Sequence, residues 1–169
     1  MPTAPENQDT VFKEAEALFG FLPNVIKEMA KSPVPAKLYL KAQEFLAEGV
    51  LTPREQQAVQ LAVAVRNECS YCTAAHRTGG KMVGIEDKDL RIIQEEKVPE
   101  DKDLVPCVDA ARLVMDKKGW LTPSDLHDLE AKGIDRAKLY EIVVLIALKT
   151  ITNYINHIAQ TEIDGPLRG

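Results

Sequence analysis

Apolar positions recur at helical spacing along almost the whole chain. Between Asp9 and Phe19 they fall at Val11, Phe12, Ala15, Leu18 and Phe19, the one-sided pattern of an amphipathic helix. Gly20 and Pro23 end that helix, and a short one is predicted from Pro23 to about Lys31. After Ser32-Pro33 and Pro35, the stretch Ala36 to Glu48 carries Leu38, Leu40, Ala42, Phe45 and Leu46, and Gly49 suits its C-terminal stop. Thr52-Pro53-Arg54-Glu55 is a strong helix start: Thr caps, Pro occupies the first helical position, and Glu reaches back to the cap amide. Its apolar face runs Ala58, Val59, Leu61, Ala62, Val65, and Asn67-Glu68 reads as the junction to a helix from about Cys69 to Met82. Further helices are predicted over Asp87 to Gln94 and Leu104 to Lys117. Thr122-Pro123-Ser124-Asp125 then repeats the capped start, Gly133 stops that helix, and a last one runs from near Asp135 to about Thr161. No segment alternates cleanly and no Asn-Gly or Asp-Gly hairpin turn appears. The expected fold class is all-α, a multi-helix array in one domain over 1–169, with no linker.

Composition narrows the function classes. The chain has 169 residues, 45% of them hydrophobic, which is enough to bury a core and excludes a disordered tail. A net charge of −5 with no dense Lys/Arg run argues against a nucleic-acid partner. The longest unbroken apolar run, Ile142 to Leu148, is far below the ~18 residues of a membrane span. The N-terminal residues show no basic stretch followed by an apolar one, so a cytoplasmic location is expected. Three cysteines in a reducing compartment are free thiols, metal ligands or a redox pair.

The chemistry sits in Cys69-Ser-Tyr-Cys72-Thr-Ala-Ala-His76. On a helix, positions 69, 72 and 76 share one face. A cysteine at a helix start or beside a histidine ionises well below the ordinary ~8.5. Cys69 lies nearest the helix start, and His76 lies one turn beyond Cys72, in reach of direct or water-mediated proton transfer. The residues read as a redox dithiol with a built-in base. Two other readings compete: buried structural cysteines, and a zinc site in which Cys107 or His157 joins Cys69, Cys72 and His76. A thioredoxin-like fold is rejected, because a capped helix rather than a strand precedes the motif.

The segment LTPREQQAVQLAVAVRNECSYCTAAH (Leu51 to His76) resembles the signature of AhpD-like proteins of the carboxymuconolactone decarboxylase superfamily. The likeness extends to LFGFLPNVIKEMAKSP (Leu18 to Pro33) and to TNYINHIAQTEID (Thr152 to Asp164), typical of the peroxidase-related branch. The resemblance implies an all-α array that assembles as a trimer or hexamer, with the redox motif in 51–83. It implies thiol-dependent reduction of hydroperoxides, or electron relay to a peroxiredoxin. Cys72 would attack the peroxide, Cys69 would resolve the sulfenic acid to a disulfide, and His76 would relay protons. A dithiol donor would reopen the disulfide, with no metal or organic cofactor and neither nucleic acid nor membrane as partner. The chain departs from the family pattern at two positions. Gln57 stands where the family places a Glu, so Gln57→Glu is expected to raise turnover. Tyr71 stands where well-studied members have His. Glu55, Glu68 and Glu141 are the alternative carboxylates. The competing functions are a lactone decarboxylase-like enzyme and an oligomeric scaffold with a weakened thiol site.

Shifting the chain by 84 residues lays Cys69, Cys72 and His76 on Asn153, Asn156 and Gln160, and Gln57 on Glu141. Two readings are open, a chance likeness of amphipathic helices or an old duplication of a helical hairpin. Of the remaining residues, Cys107 is expected to be a buried thiol and His127 to be solvated. His157 is expected in core or interface packing, and Trp120 as an apolar anchor.

Overall fold

Residues 4–168 are described by a computed structural model, and among them the chain forms helices and no strand. The helices are α1 (Ala4–Phe19), α2 (Asn24–Met29), α3 (Pro33–Ala47), α4 (Pro53–Arg66), α5 (Ser70–Met82), α6 (Asp87–Gln94), α7 (Val105–Lys117), α8 (Pro123–Ala131) and α9 (Arg136–Ala159), followed by a 3-10 turn at Gly165–Leu167. Both Thr-Pro starts form capping boxes. The Thr52 hydroxyl accepts from Glu55 N at 3.2 Å while the Glu55 carboxylate accepts from Thr52 N at 2.7 Å. Thr122 and Asp125 repeat the exchange at 3.2 and 2.7 Å. α3 starts at Pro33, earlier than the sequence pattern suggests, because both of its prolines sit in the first turn, where a missing N–H costs nothing.

α4 and α9 are the axes of the array. α4 packs against α5, α6, α7 and α9, and α9 touches α2, α3, α5 and α7 as well. α4 is buried from Ala58 through Ala64 without a break, Gln60 included. The one-sided face read from the sequence therefore understates it. Ala58, Ala62 and Ala64 leave room for helices on both sides. One apolar core gathers Leu61 and Val63 of α4 with Leu90, Ile93, Val108, Ile142 and Leu145. The second gathers Val11, Ile26, Met29, Ala36 and Leu40 of the first three helices with Ala64, Cys69, Tyr71 and Cys72. The thiol motif thus lies in the interior, under α1 to α3.

By length and composition α9 could cross a membrane: 24 residues with a mean hydropathy of 1.4 in its most apolar window. Counting unbroken apolar runs missed this, because Lys149 interrupts the run. In the fold α9 is a central helix whose hidden face carries Leu139, Ile142, Leu145, Leu148 and then the polar side chains Lys149, Thr152, Asn153 and Asn156. Its outer face leaves Tyr140, Val143, Val144, Tyr154 and Ile158 exposed, and α3, which α9 touches, leaves Leu38 and Phe45 exposed.

Candidate active site

The α4–α5 junction positions the first thiol. Glu68 adopts a left-handed backbone, φ 55°, unusual for a side chain with a Cβ and costing about 1–3 kcal/mol. Cys69 N donating to Ala64 O at 2.9 Å, Glu68 N to Val65 O at 2.9 Å, and Asn67 Nδ2 to Asn153 Oδ1 at 2.8 Å hold this turn. Cys69 is consequently the extended N-cap of α5 rather than its first helical residue. Cys72 lies one turn inside, where the free amides and dipole of the helix start favour an anion.

Both thiols are buried, with 2% and 3% exposure. Asn156 Nδ2 donates to Cys72 Sγ at 3.2 Å. The hydrogen bond from Cys69, the ammonium of Lys149 and the amide of Asn156 outweigh burial and pull the Cys72 thiol down from its ordinary range. Cys69 is pushed up, first by its hydrogen bond to Cys72 and then by burial. The hydrogen bond between the two sulfurs draws the proton toward Cys69 and away from Cys72.

His76 does not bond to Cys72. Its Nδ1–H donates to Gln57 Oε1 at 2.9 Å, and its Nε2 accepts from Lys149 Nζ at 2.8 Å. A Gln carbonyl can only accept and an ammonium can only donate, so the network assigns the neutral Nδ1–H tautomer. Burial and the Lys149 charge both push the imidazole well below its ordinary pKa. Gly79 makes this contact possible, since a Cβ there would lie 2.6 Å from Gln57 Oε1. The structure therefore brings Cys69, Cys72, His76 and Gln57 into one cluster, and it adds Lys149, Thr152 and Asn156 of α9.

None of the alternative carboxylates joins that cluster. Glu55 is held by Thr52 and by Lys138 Nζ at 2.6 Å. Glu68 is exposed. Glu141 accepts from Val50 N and Leu51 N at 2.7 and 2.9 Å, pinning the loop before α4. Tyr71 is tied away from the thiols: its hydroxyl donates to Asp164 Oδ2 at 2.5 Å and accepts from Val25 N at 3.3 Å. Burial, then Asp164, pushes its phenol up. Cys107 is fully buried, and burial pushes it up to about 12. His127 is exposed. His157 is exposed beside Tyr154 and so lies outside the core, and Trp120 is 85% exposed rather than an anchor. Among the described residues no three His, Cys, Asp or Glu side chains gather to hold a metal, so the zinc arrangement does not form. The hairpin repeat does not form either, since α9 runs straight through the residues that match the α4–α5 turn.

Residues 35–96 match the carboxymuconolactone decarboxylase family. No curated protein sequence matches the chain. Among solved structures, a peroxidase-related protein from Silicibacter sp. TM1040 superposes with a TM-score of 0.82 at 17% identity, over 100% of this chain and 91% of its own. An alkylhydroperoxidase AhpD core protein from Ralstonia eutropha JMP134, also peroxidase-related, gives 0.83 at 18% identity, over 98% and 91%. The debrominase Bmp8 gives 0.74 at 19% identity, over 98% and 89%, and a Cys-to-Ala variant of it is known in complex with 2,3,4-tribromopyrrole. Residues 35–96 thus carry a carboxymuconolactone decarboxylase family segment, and the chain that holds it has the fold of AhpD-like, peroxidase-related proteins.

Proposed function

We propose that the chain reduces organic hydroperoxides with the Cys69–Cys72 pair. The observation that carries this reading is two adjacent buried thiols at the start of α5, with Asn156 Nδ2 donating to Cys72 Sγ at 3.2 Å, an arrangement that pulls the Cys72 thiol down while Cys69 is pushed up. The Cys72 thiolate attacks the terminal oxygen of ROOH. The O–O bond breaks, its electron pair leaves with the alkoxide, and a proton from solvent completes ROH. Cys72 is left as a sulfenic acid. The Cys69 sulfur then attacks the Cys72 sulfur. The S–O bond breaks, and the hydroxide leaves as water with the Cys69 proton. One hydroperoxide and two thiols become an alcohol, water and a disulfide, and a dithiol donor or a peroxiredoxin partner exchanges electrons with that disulfide. The apolar company of the thiols, Ile26, Met29 and Leu40 among it, favours an alkyl peroxide over hydrogen peroxide. A debrominase on the same fold supports a second reading of the same dithiol. R–Br and two thiols would give R–H, bromide, a proton and the disulfide.

The test is anaerobic titration of the reduced protein with an alkyl hydroperoxide or a bromopyrrole, followed by peptide mapping. The expected product with the peroxide is a Cys69–Cys72 disulfide with Cys107 still reduced. Cys72→Ser should consume none, and Cys69→Ser should stop at a sulfenic acid that dimedone traps. Oxidation by the bromopyrrole alone moves the assignment to dehalogenation. Pairing through Cys107, or a Cys69→Ser variant that resists oxidation while Cys72→Ser does not, overturns the reading.

A further inference from the structure

Lys149 is buried to 2% exposure in the middle of α9, and no carboxylate pairs with it among the described residues. Burying an ammonium without an anion is costly, so something nearby must compensate it. His76 is neutral and offers only the Nε2 lone pair at 2.8 Å. The Tyr39 ring, with Nζ 5.2 Å from its centroid, adds a modest attraction. The buried carboxylate of this core, Asp164, is taken up by Asn24 N at 3.1 Å and by the Tyr71 hydroxyl. What remains is the thiol pair. Lys149, Thr152 and Asn156 lie at i, i+3 and i+7, on one face of α9. Asn156 donates an N–H to Cys72 Sγ, and Thr152 Oγ1 lies 3.9 Å from the same sulfur. The face that carries the ammonium is the face that meets Cys72.

We infer that Lys149 is a positioning residue that keeps Cys72 ionised, with His76 and Gln57 serving to hold the ammonium in place rather than to accept the thiol proton. The imidazole cannot act as the base in this arrangement, because Lys149 occupies its one lone pair. Gln57 fits the role better than a carboxylate would, since it fixes the ring tautomer without adding a negative charge. The titratable groups around Cys72 are Cys69 at the N-cap of α5, Tyr71 and His76 of α5, and Lys149 of α9. Tyr39 of α3 lies behind Lys149, and Asp164 lies beyond Tyr71. Of these, Lys149 supplies the positive charge, and it is one of the groups that lower the Cys72 pKa. The inference rests on Cys72 being the reacting thiol, but its test does not need peroxide.

The experiment is a pH titration of thiolate absorbance on the full-length reduced protein, with the Cys72 contribution identified by its loss in Cys72→Ser. Lys149→Met should move the Cys72 midpoint up by about one to two pH units, the span expected when an adjacent opposite charge is removed. Lys149→Arg, which keeps the charge and changes the shape, should retain most of the low midpoint. If Lys149→Met does not fold, Lys149→Gln serves as the neutral arm. A midpoint that stays low in the neutral variant, or rises equally in Lys149→Arg, overturns the inference. A Lys149-dependent midpoint in a protein that no hydroperoxide oxidises leaves the inference standing and removes the peroxidase reading instead.

Discussion

Gly79→Ala tests whether the Gln57–His76 contact matters. Gly79 lies inside α5 with ordinary helical backbone, so alanine by itself should add about 0.5–1 kcal/mol of stability. Its Cβ, however, would sit 2.6 Å from Gln57 Oε1 and 3.0 Å from Gln57 Cδ. The Gln57 amide is the end of a flexible side chain and can swing away, so the clash itself is cheap. The cost is the acceptor lost to the Nδ1–H of a buried imidazole, about 1–3 kcal/mol. The net expectation is a loss of about 0–2.5 kcal/mol, and each kcal/mol lowers Tm by about 2–4 °C in a chain of this size. Lys149 also loses its fixed partner, so the Cys72 thiolate titration should move up. Gly80→Ala is the control. Its Cβ would meet the fully buried Leu90 Cδ2 at 2.5 Å, and overpacking of that kind costs about 1–3 kcal/mol. That variant should lose stability and leave the Cys72 titration unchanged. A Gly79→Ala protein that gains the full helical increment, with Cys72 titrating as before, would refute the reasoning.

Stability should rise with pH between about pH 5 and 8. Up to about pH 6.5 the unfolded chain binds a proton at His76 that the native one does not, and from about pH 6 to the ordinary thiol range it binds one at Cys72, so each group contributes at most about 1.4 kcal/mol per pH unit in its own part of the window. The raised thiol of Cys69 opposes this only above the ordinary thiol pKa, ~8.5. Urea unfolding of the reduced protein at several pH values checks it, and a flat profile contradicts it. Tyr71→Phe removes the hydroxyl that joins Asp164 to Val25 N, and a loss of about 1–3 kcal/mol is expected in the same assay. A loss under about 0.5 kcal/mol would mean that this network is already satisfied without the phenol. The exposed apolar side chains of α3 and α9, Phe45, Tyr154 and Ile158 among them, lead to an expected homo-oligomer. A monomer at micromolar concentration in light scattering would count against it.

The helices were legible because each has local punctuation. Two capping boxes, prolines in first turns and a period of apolar positions place the elements to within a few residues. Half of the site was legible for the same reason, since Cys69, Cys72 and His76 are neighbours along one turn-spaced stretch. The other half comes from α9, more than 70 residues away, and no local rule links Lys149 to His76. A signal was nevertheless present. Four polar residues at 149, 152, 153 and 156 mark one face of the most apolar helix, and polar groups on such a face are rarely idle. The register that laid Asn156 on Cys72 pointed to the same residue, though by likeness rather than by contact. Trp120 misled because an apolar residue near a helix says nothing of whether a neighbour exists to cover it.

Gln57 is where the sequence expectation and the geometry part. By resemblance alone, Gln57→Glu restores a carboxylate and speeds turnover. In the cluster as folded, a carboxylate at 57 would accept the Nδ1–H with charge assistance and raise the pKa of His76. A hydrogen bond to a charged group contributes about 1.5–3 kcal/mol, or roughly one to two pKa units. Once protonated, His76 carries N–H at both nitrogens, and its Nε2–H points at the Lys149 ammonium now 2.8 Å away. Two donors with the same charge cannot share that distance, so Lys149 is displaced and Cys72 loses its cation. Gln57→Glu is therefore expected to raise the Cys72 midpoint and lower peroxide turnover at neutral pH, with Lys149→Met epistatic to it. The thiolate titration and the peroxide assay read the two effects separately. Faster turnover with an unchanged midpoint would mean that the imidazole works as a base after all, and that Gln57 is a handicap rather than part of the device.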